Sequence, residues 1–215
     1  MNIFKGIFDF FFPPLCHICD RRLSSKEIVV CERCFSKIIP ASNHDKILKK
    51  LKYLDDIKGY GIYSFPLDEI IHLFKYYGRI SLSKKLGMFL EIVYNTYYSR
   101  EKIEFIVPVP LHPTRKRERG YNQSLLLSKE LSNRIKIPVS LNLKRIRYTT
   151  TQTLLSEKDR EKNIKNAFKS KGSFKGTILL IDDVSTTGHT LDDCARALKE
   201  AGAERVISLV VATAS

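Results

Sequence analysis

The chain has 215 residues, 43% of them hydrophobic, with 37 Lys and Arg against 23 Asp and Glu and a formal net charge of +14. That length allows one domain of ordinary size plus a small extra module, and the apolar fraction supports a packed core, which excludes a chain too polar to fold. The positive excess predicts an anionic partner, or a solvated basic surface that keeps the protein soluble; residues 111–176 carry most of it, with 17 basic against 5 acidic residues.

The first apolar stretch, Ile3 to Leu15, contains Phe8, Phe10, Phe11 and Phe12. It is shorter than the roughly twenty apolar residues of a spanning helix, is interrupted by Pro13-Pro14, and lacks a small-residue cleavage site. It reads as an aromatic strap packed on the module that follows, or as an interfacial anchor giving peripheral membrane contact. Next come Cys16-x2-Cys19 and Cys31-x2-Cys34. Two such knuckles complete a tetrahedral thiolate shell, so residues 1–40 are expected to form a small module folded by structural zinc. Paired disulfides and a redox pair are the rival readings, and His17 and His44 are worse spaced as ligands. Reduced cysteines without an export signal predict a cytoplasmic protein. Residues 41–57 read as a polar linker and 58–215 as the larger domain.

Residues 58–65 alternate Tyr and Ile with Gly, as in an edge strand or hairpin arm. Amphipathic helices are expected over Leu67 to Tyr76 and Ile80 to Tyr97, with Lys75 and Arg79 near the break between them as surface charges or ligand contacts. Phe105 to Pro110 reads as a buried strand, ended by its prolines. A turn with four basic residues in five positions follows, then a helix over Ser124 to Arg134, where Asn122 and Gln123 contact a ligand or cap the helix. A strand over Val139 to Leu143 leads into Lys144-Arg-Ile-Arg147. The Thr-rich stretch from Thr149 to Asn163, with Gln152 and Arg160, suits a mobile lid. After a turn at Gly172 to Gly176, Ile178 to Ile181 has the continuous apolar character of a strand buried on both faces, expected to stop at Asp182 and Asp183. From Ser185 to Thr190 the chain must turn at Gly188, so that backbone amides, the hydroxyls of Thr186, Thr187 and Thr190, and the amide-rich end of a helix over Leu191 to Ala201 converge on a phosphate-sized spot. The bland alternative is an acidic strand end followed by a Thr190–Asp193 capping pair. Cys194 reads as a small buried residue. Arg205 to Ala212 completes a strand–helix–strand crossover.

The run from Ile178 to Thr190 resembles the phosphoribosyl pyrophosphate signature of type I phosphoribosyltransferases. The resemblance implies an α/β fold with a parallel sheet flanked by helices. Ser185, Thr186, Thr187, Gly188, His189 and Thr190 would then hold a sugar 5-phosphate. Asp182 and Asp183 would take ribose hydroxyls or, through water, magnesium, and would serve catalysis if the protein is active. It also places a pyrophosphate loop after the Phe105 strand, with Arg115, Arg117 and Arg119 on the diphosphate. With the paired cysteines, Val107-Pro-Val-Pro-Leu111, Arg119-Gly-Tyr-Asn-Gln123, Arg145-x-Arg147, Gln152, Arg160-x-x-Asn163 and Ala167-Phe168, the pattern resembles the ComF family nearly end to end. That implies a zinc-finger protein with a phosphoribosyltransferase-like domain, linked to natural competence and to handling of imported DNA, meeting helicase, pore or recombination proteins at the inner face of the membrane. Two functions follow from the resemblance. One is a DNA-uptake protein whose groove holds single-stranded DNA, with Tyr121 and Tyr148 as stacking faces beside Arg117, Arg119, Arg145 and Arg147. The other is an active phosphoribosyltransferase of unknown acceptor, using magnesium with phosphoribosyl pyrophosphate.

Overall fold

The computed structural model describes residues 13–42, 45–147 and 166–214. In chain order the elements begin with α1 (Glu32–Phe35), α2 (Asp45–Leu48), β1 (Asp56–Ile62), α3 (Leu67–Tyr76), α4 (Leu82–Tyr97) and β2 (Ile103–Pro108). They continue with α5 (Pro113–Arg119), α6 (Gln123–Ile135), β3 (Leu143–Arg145), β4 (Phe168–Ser170), β5 (Thr177–Ser185), α7 (His189–Glu200) and β6 (Arg205–Thr213). The N-terminal aromatic stretch, His44 and the expected lid lie outside the described residues.

Four parallel strands form the main sheet in the order β1-β6-β5-β2. The two central strands carry the longest apolar runs because both their faces are covered. Successive side chains alternate between those faces. Leu179 and Ile181 of β5 join a core made with α3, α4 and α6, through Ile70, Phe74, Leu86, Leu90, Leu127 and Leu131. Ile178 and Leu180 join a second core with α7, β4 and Leu54, through Leu191, Cys194, Leu198 and Phe168. At the sheet edge, β1 buries only alternate residues, in keeping with its Tyr-Ile-Gly alternation.

The cysteine module belongs to the first core. Phe35 meets Phe89 of α4 edge-on at 5.7 Å, and Tyr60 stacks on the same ring at 4.0 Å. Lys85 of α4 pairs with Glu32 at 2.7 Å. Backbone bonds from Ala41 to Tyr60 and from Ile62 to Ile39 lay the end of the module along the open edge of β1, which shields an otherwise unpaired strand. Gly61 is needed there, since a Cβ would lie 2.7 Å from Ile38 Cγ2.

Several expectations need correction. β5 does not stop at the two acids but continues to Ser185, because β6 supplies partners up to Thr213. The basic segment expected as a turn is the helix α5. The strand expected over Val139 to Leu143 reduces to one parallel bridge between Val139 and Ile106, since Pro138 has no N–H to extend the ladder. The extended segment lies further on, where β3 pairs antiparallel with β4 in a separate two-stranded sheet. The segment read as a linker is also anchored to the larger domain. The Asp192 carboxylate of α7 accepts the amides of Lys52, Tyr53 and Leu54 at 3.0, 2.7 and 2.9 Å.

Candidate functional site

The carboxyl ends of β5 and β2 open onto one edge of the sheet, the position at which open α/β sheets hold ligands. At the end of β5 the two acids point to different neighbours. Asp182 Oδ1 accepts the Ser124 hydroxyl of α6 at 2.8 Å and the Asp183 amide at 2.9 Å. Asp183 Oδ1 pairs with Lys75 Nζ of α3 at 2.8 Å. Among the described residues, Oδ2 of each carboxylate receives no hydrogen bond, so both remain acceptors for hydroxyl groups. Burial, together with the adjacent Asp183 charge, pushes Asp182 up to about 7, against the pull of Ser124 and Lys75. For Lys75, burial works against the charge, but the Asp183 carboxylate outweighs it and the net shift is upward.

Past Ser185 the chain turns through Gly188, which has φ +78°. Glycine is required twice over, because a Cβ would also lie 2.7 Å from Leu51 Cδ1 and 2.9 Å from Ile47 Cγ2. Among the described residues, none of the amides of Thr186, Thr187, Gly188, His189 and Thr190 donates a hydrogen bond. Ser185 Oγ is buried without a partner in the same set. The alternative Thr190–Asp193 capping pair does not form. Gly188 occupies the cap position with no side-chain bond, and Asp193 accepts the amides of Asn166 and Ala167 and pairs with Arg196 at 2.8 Å. Asp192 and Asp193 thus hold neighbouring segments and leave the turn's own amides open. Cys194 is fully buried behind the acids, and desolvation raises its thiol well above the usual range, which makes it an inert core residue.

At the end of β2, Arg115 and Arg119 of α5 line a cavity of about 340 Å³ with Lys75, Tyr76, Gly78 and Glu118. Arg117 lies on the exposed side of the helix and is not in its lining. Arg119 donates to the Tyr76 hydroxyl at 3.0 Å and to Gln123 Oε1 at 3.4 Å. Asn122 is spent structurally: its Oδ1 caps α6 through the Ser124 amide, and its Nδ2 donates to the Val109 carbonyl. The Tyr121 hydroxyl donates to the Phe74 carbonyl and its half-buried ring packs against Phe74, which ties it to the core. Arg145 lies over the Phe168 ring at 5.4 Å, and burial with nearby Arg115 depresses its pKa. Arg147 is exposed. Tyr148, Gln152 and Arg160 lie outside the described residues. Lys75 stood in the sequence only as an undecided charge; its spacing from Phe74 carried no sign of the acid it meets. The exposed rings of His72, Tyr76 and Tyr77 gave no sequence signal either.

In the cysteine module, Cys16, Cys19, Cys31 and Cys34 bring four sulfurs within 4.8 Å of one another. Sulfur pairs stand 3.9 Å apart for Cys16–Cys34 and 3.7 Å for Cys19–Cys31. A zinc ion at about 2.3 Å from each of four thiolates requires edges of roughly 3.8 Å, whereas a disulfide is near 2.0 Å. The four cysteines are free thiols gathered into a donor set that could hold a zinc ion.

The parallel sheet, the acidic strand end and the open turn define a phosphoribosyltransferase-type fold, and residues 122–215 match the phosphoribosyl transferase domain model. The chain is 35% identical over 201 residues to competence protein F of Haemophilus influenzae, covering 89% of this chain and 87% of that one. It is 30% identical, over the same shares, to DNA utilization protein YhgH of Escherichia coli K12. Among solved structures, glutamine phosphoribosylpyrophosphate amidotransferase of B. subtilis aligns at 20% identity with a TM-score of 0.40, over 61% of this chain and 26% of that one. The chain belongs to the ComF family of competence and DNA utilization proteins.

Proposed function

We propose that this protein acts in DNA uptake and utilisation, handling imported single-stranded DNA with a phosphoribosyltransferase-like domain that binds phosphoribosyl pyrophosphate or a related sugar 5-phosphate. The observation that carries the ligand is the turn at the start of α7, whose five amides donate to nothing among the described residues, beside two carboxylates that each keep one open oxygen. The turn and the hydroxyls of Thr186, Thr187 and Thr190 receive the 5-phosphate, and Asp182 and Asp183 accept the ribose hydroxyls. Arg115, Arg119 and Lys75 face the diphosphate through the cavity they line. Because Lys75 already neutralises Asp183, a magnesium ion arriving with the diphosphate would meet Asp182 as the carboxylate without a paired cation; it would supply charge neutralisation of the leaving diphosphate. Zinc held by the four cysteines has a structural role, closing the module against α4.

The DNA part of the proposal rests on the names of the relatives and on the basic excess of residues 111–176. No helix among the described residues is long and apolar enough to cross a membrane, and we place the protein in the cytoplasm, working with pore, helicase or recombination proteins at the inner face of the membrane. An active transferase is the alternative. The test incubates the purified zinc-loaded protein with phosphoribosyl pyrophosphate and magnesium, measuring binding by calorimetry and following released pyrophosphate with and without acceptors. Binding that is lost in the Asp182→Asn, Asp183→Asn double variant, without pyrophosphate release, supports the proposal. Release that depends on an acceptor establishes the transferase, and absence of sugar-phosphate binding overturns the ligand assignment.

A further inference from the structure

The outer face of α3 and its C-cap residue carry a row of rings outside the core, of which only Tyr76 borders the cavity assigned to the diphosphate. Tyr76 and Tyr77 are 59% and 62% exposed. His72 stands one helical turn before Tyr76, with their ring centres 4.9 Å apart, and it lies 5.6 Å from Tyr77. The row is extended at one end by the guanidinium of Arg119, 4.8 Å above the Tyr76 ring. An isolated exposed aromatic is unremarkable, but three neighbouring rings continued by a stacked arginine form a surface with a direction.

Each end of the row opens into a cavity. The Tyr76 end borders the 340 Å³ cavity lined by Lys75, Arg115 and Arg119, with Glu118 as its single acid. The Tyr77 end borders a cavity of about 520 Å³ that reaches His17 of the cysteine module, where Asp68 and Glu69 face it. Cations at one end and acids at the other fix the sign of what can lie along the ridge. Phosphates are attracted at the Tyr76 end and repelled beyond Tyr77.

We propose that the His72, Tyr76 and Tyr77 row on the outer face of α3 is a stacking platform for unpaired nucleobases, with the backbone phosphates of the same strand directed into the Lys75–Arg115–Arg119 cavity. The inference rests on the reading that this protein handles single-stranded DNA and adds where the strand lies. Flat rings accept any base, whereas a duplex keeps its bases inside the stack and cannot use them. The acidic cavity ends the platform, so it takes about three bases, one per ring. The Lys75–Arg115–Arg119 cavity is shared with the diphosphate assigned above, so a strand and a diphosphate compete there, whereas His72 and Tyr77 lie outside it.

The test uses the full-length, zinc-loaded protein and a fluorescein-labelled oligothymidylate, read by anisotropy, with ribose 5-phosphate binding by calorimetry as the control for fold and turn. His72→Ala and Tyr77→Ala are expected to weaken oligothymidylate binding roughly 5- to 100-fold each, the range for loss of one stacking ring. Tyr77→Trp should retain binding, and ribose 5-phosphate affinity should stay within about twofold in all three, because neither residue touches that site. Unchanged oligothymidylate affinity in His72→Ala and Tyr77→Ala, as expected if the rings instead dock a protein, overturns the platform and leaves DNA handling standing. Equal affinity for duplex and single strand also overturns it. A wild-type protein that binds no oligothymidylate overturns the DNA-handling reading itself, and the platform with it.

Discussion

Lys75 Nζ and Asp183 Oδ1 stand 2.8 Å apart in a site that also holds Asp182, so one partly buried lysine serves two neighbouring carboxylates. The pair ties the end of α3 to the end of β5. Removing one member of a buried pair leaves the other charge uncompensated, at a cost of roughly 3 kcal/mol. Lys75→Met is therefore expected to lower the urea midpoint strongly at pH 8 and less at pH 5, where a carboxyl can protonate. Equal losses at both pH values would separate the effect from this ion pair.

Asp182→Asn is expected to stabilise the fold at alkaline pH while abolishing sugar-phosphate binding. The folded protein holds the Asp182 proton up to about 7, whereas an unfolded chain releases it near the ordinary carboxylate range. Stability from this group is thus present at low pH and is lost as pH rises through that window. The variant should melt a few degrees above wild type at pH 8, at roughly 2 to 4 °C per kcal/mol for a chain of this size, and level with it at pH 4.

The same ionisation predicts a proton linkage. Ribose hydroxyls and a divalent cation both favour charged Asp182, so ligand binding near pH 7 should release protons, up to about one per site. Calorimetry of phosphoribosyl pyrophosphate binding with magnesium in buffers of different ionisation enthalpy measures the number. No dependence on buffer would place the ligand away from Asp182.

Gly188→Ala is expected to destabilise by roughly 1 to 3 kcal/mol, because the new methyl combines a left-handed backbone with a close approach to Leu51 and Ile47. Denaturant unfolding reads the stability and calorimetry the ligand. Since the turn itself must shift, sugar-phosphate binding should fall together with stability, whereas Gly78→Ala, with nothing within 4 Å, should cost less than the glycine at the turn.

Metal analysis of the purified protein should give one zinc per chain. Cys31→Ser should reduce it and expose the edge of β1, seen as aggregation on mild heating and as faster hydrogen exchange at Ile62, whose amide donates to the Ile39 carbonyl.

Much of the frame was legible because it is written in local periodicity. The buried run Ile178 to Ile181, the helices α3 and α4, and the cysteine spacing each follow from residues close together in the chain. The elements that were misread depend on distant partners. β3 is a strand only because Phe168 to Ser170 lies beside it, and β5 continues past the acids only because β6 does. In α5 the density of like charge pointed to a loop, yet Arg115 and Arg119 lie one helical turn apart and line one cavity. At the site, the acids and the turn could be read from type and order. The pairing of Lys75 with Asp183 could not, because nothing in the spacing of α3 shows which strand end it faces.

The first strand of the sheet pairs with the last: Asp55 holds the Val206 amide, 151 positions later. During synthesis, the greasy sides of α3 and α4 therefore wait without a complete sheet until β6 has been made. Capture of metal by the cysteine knuckles need not wait for that strand, because all four donors lie between Cys16 and Cys34.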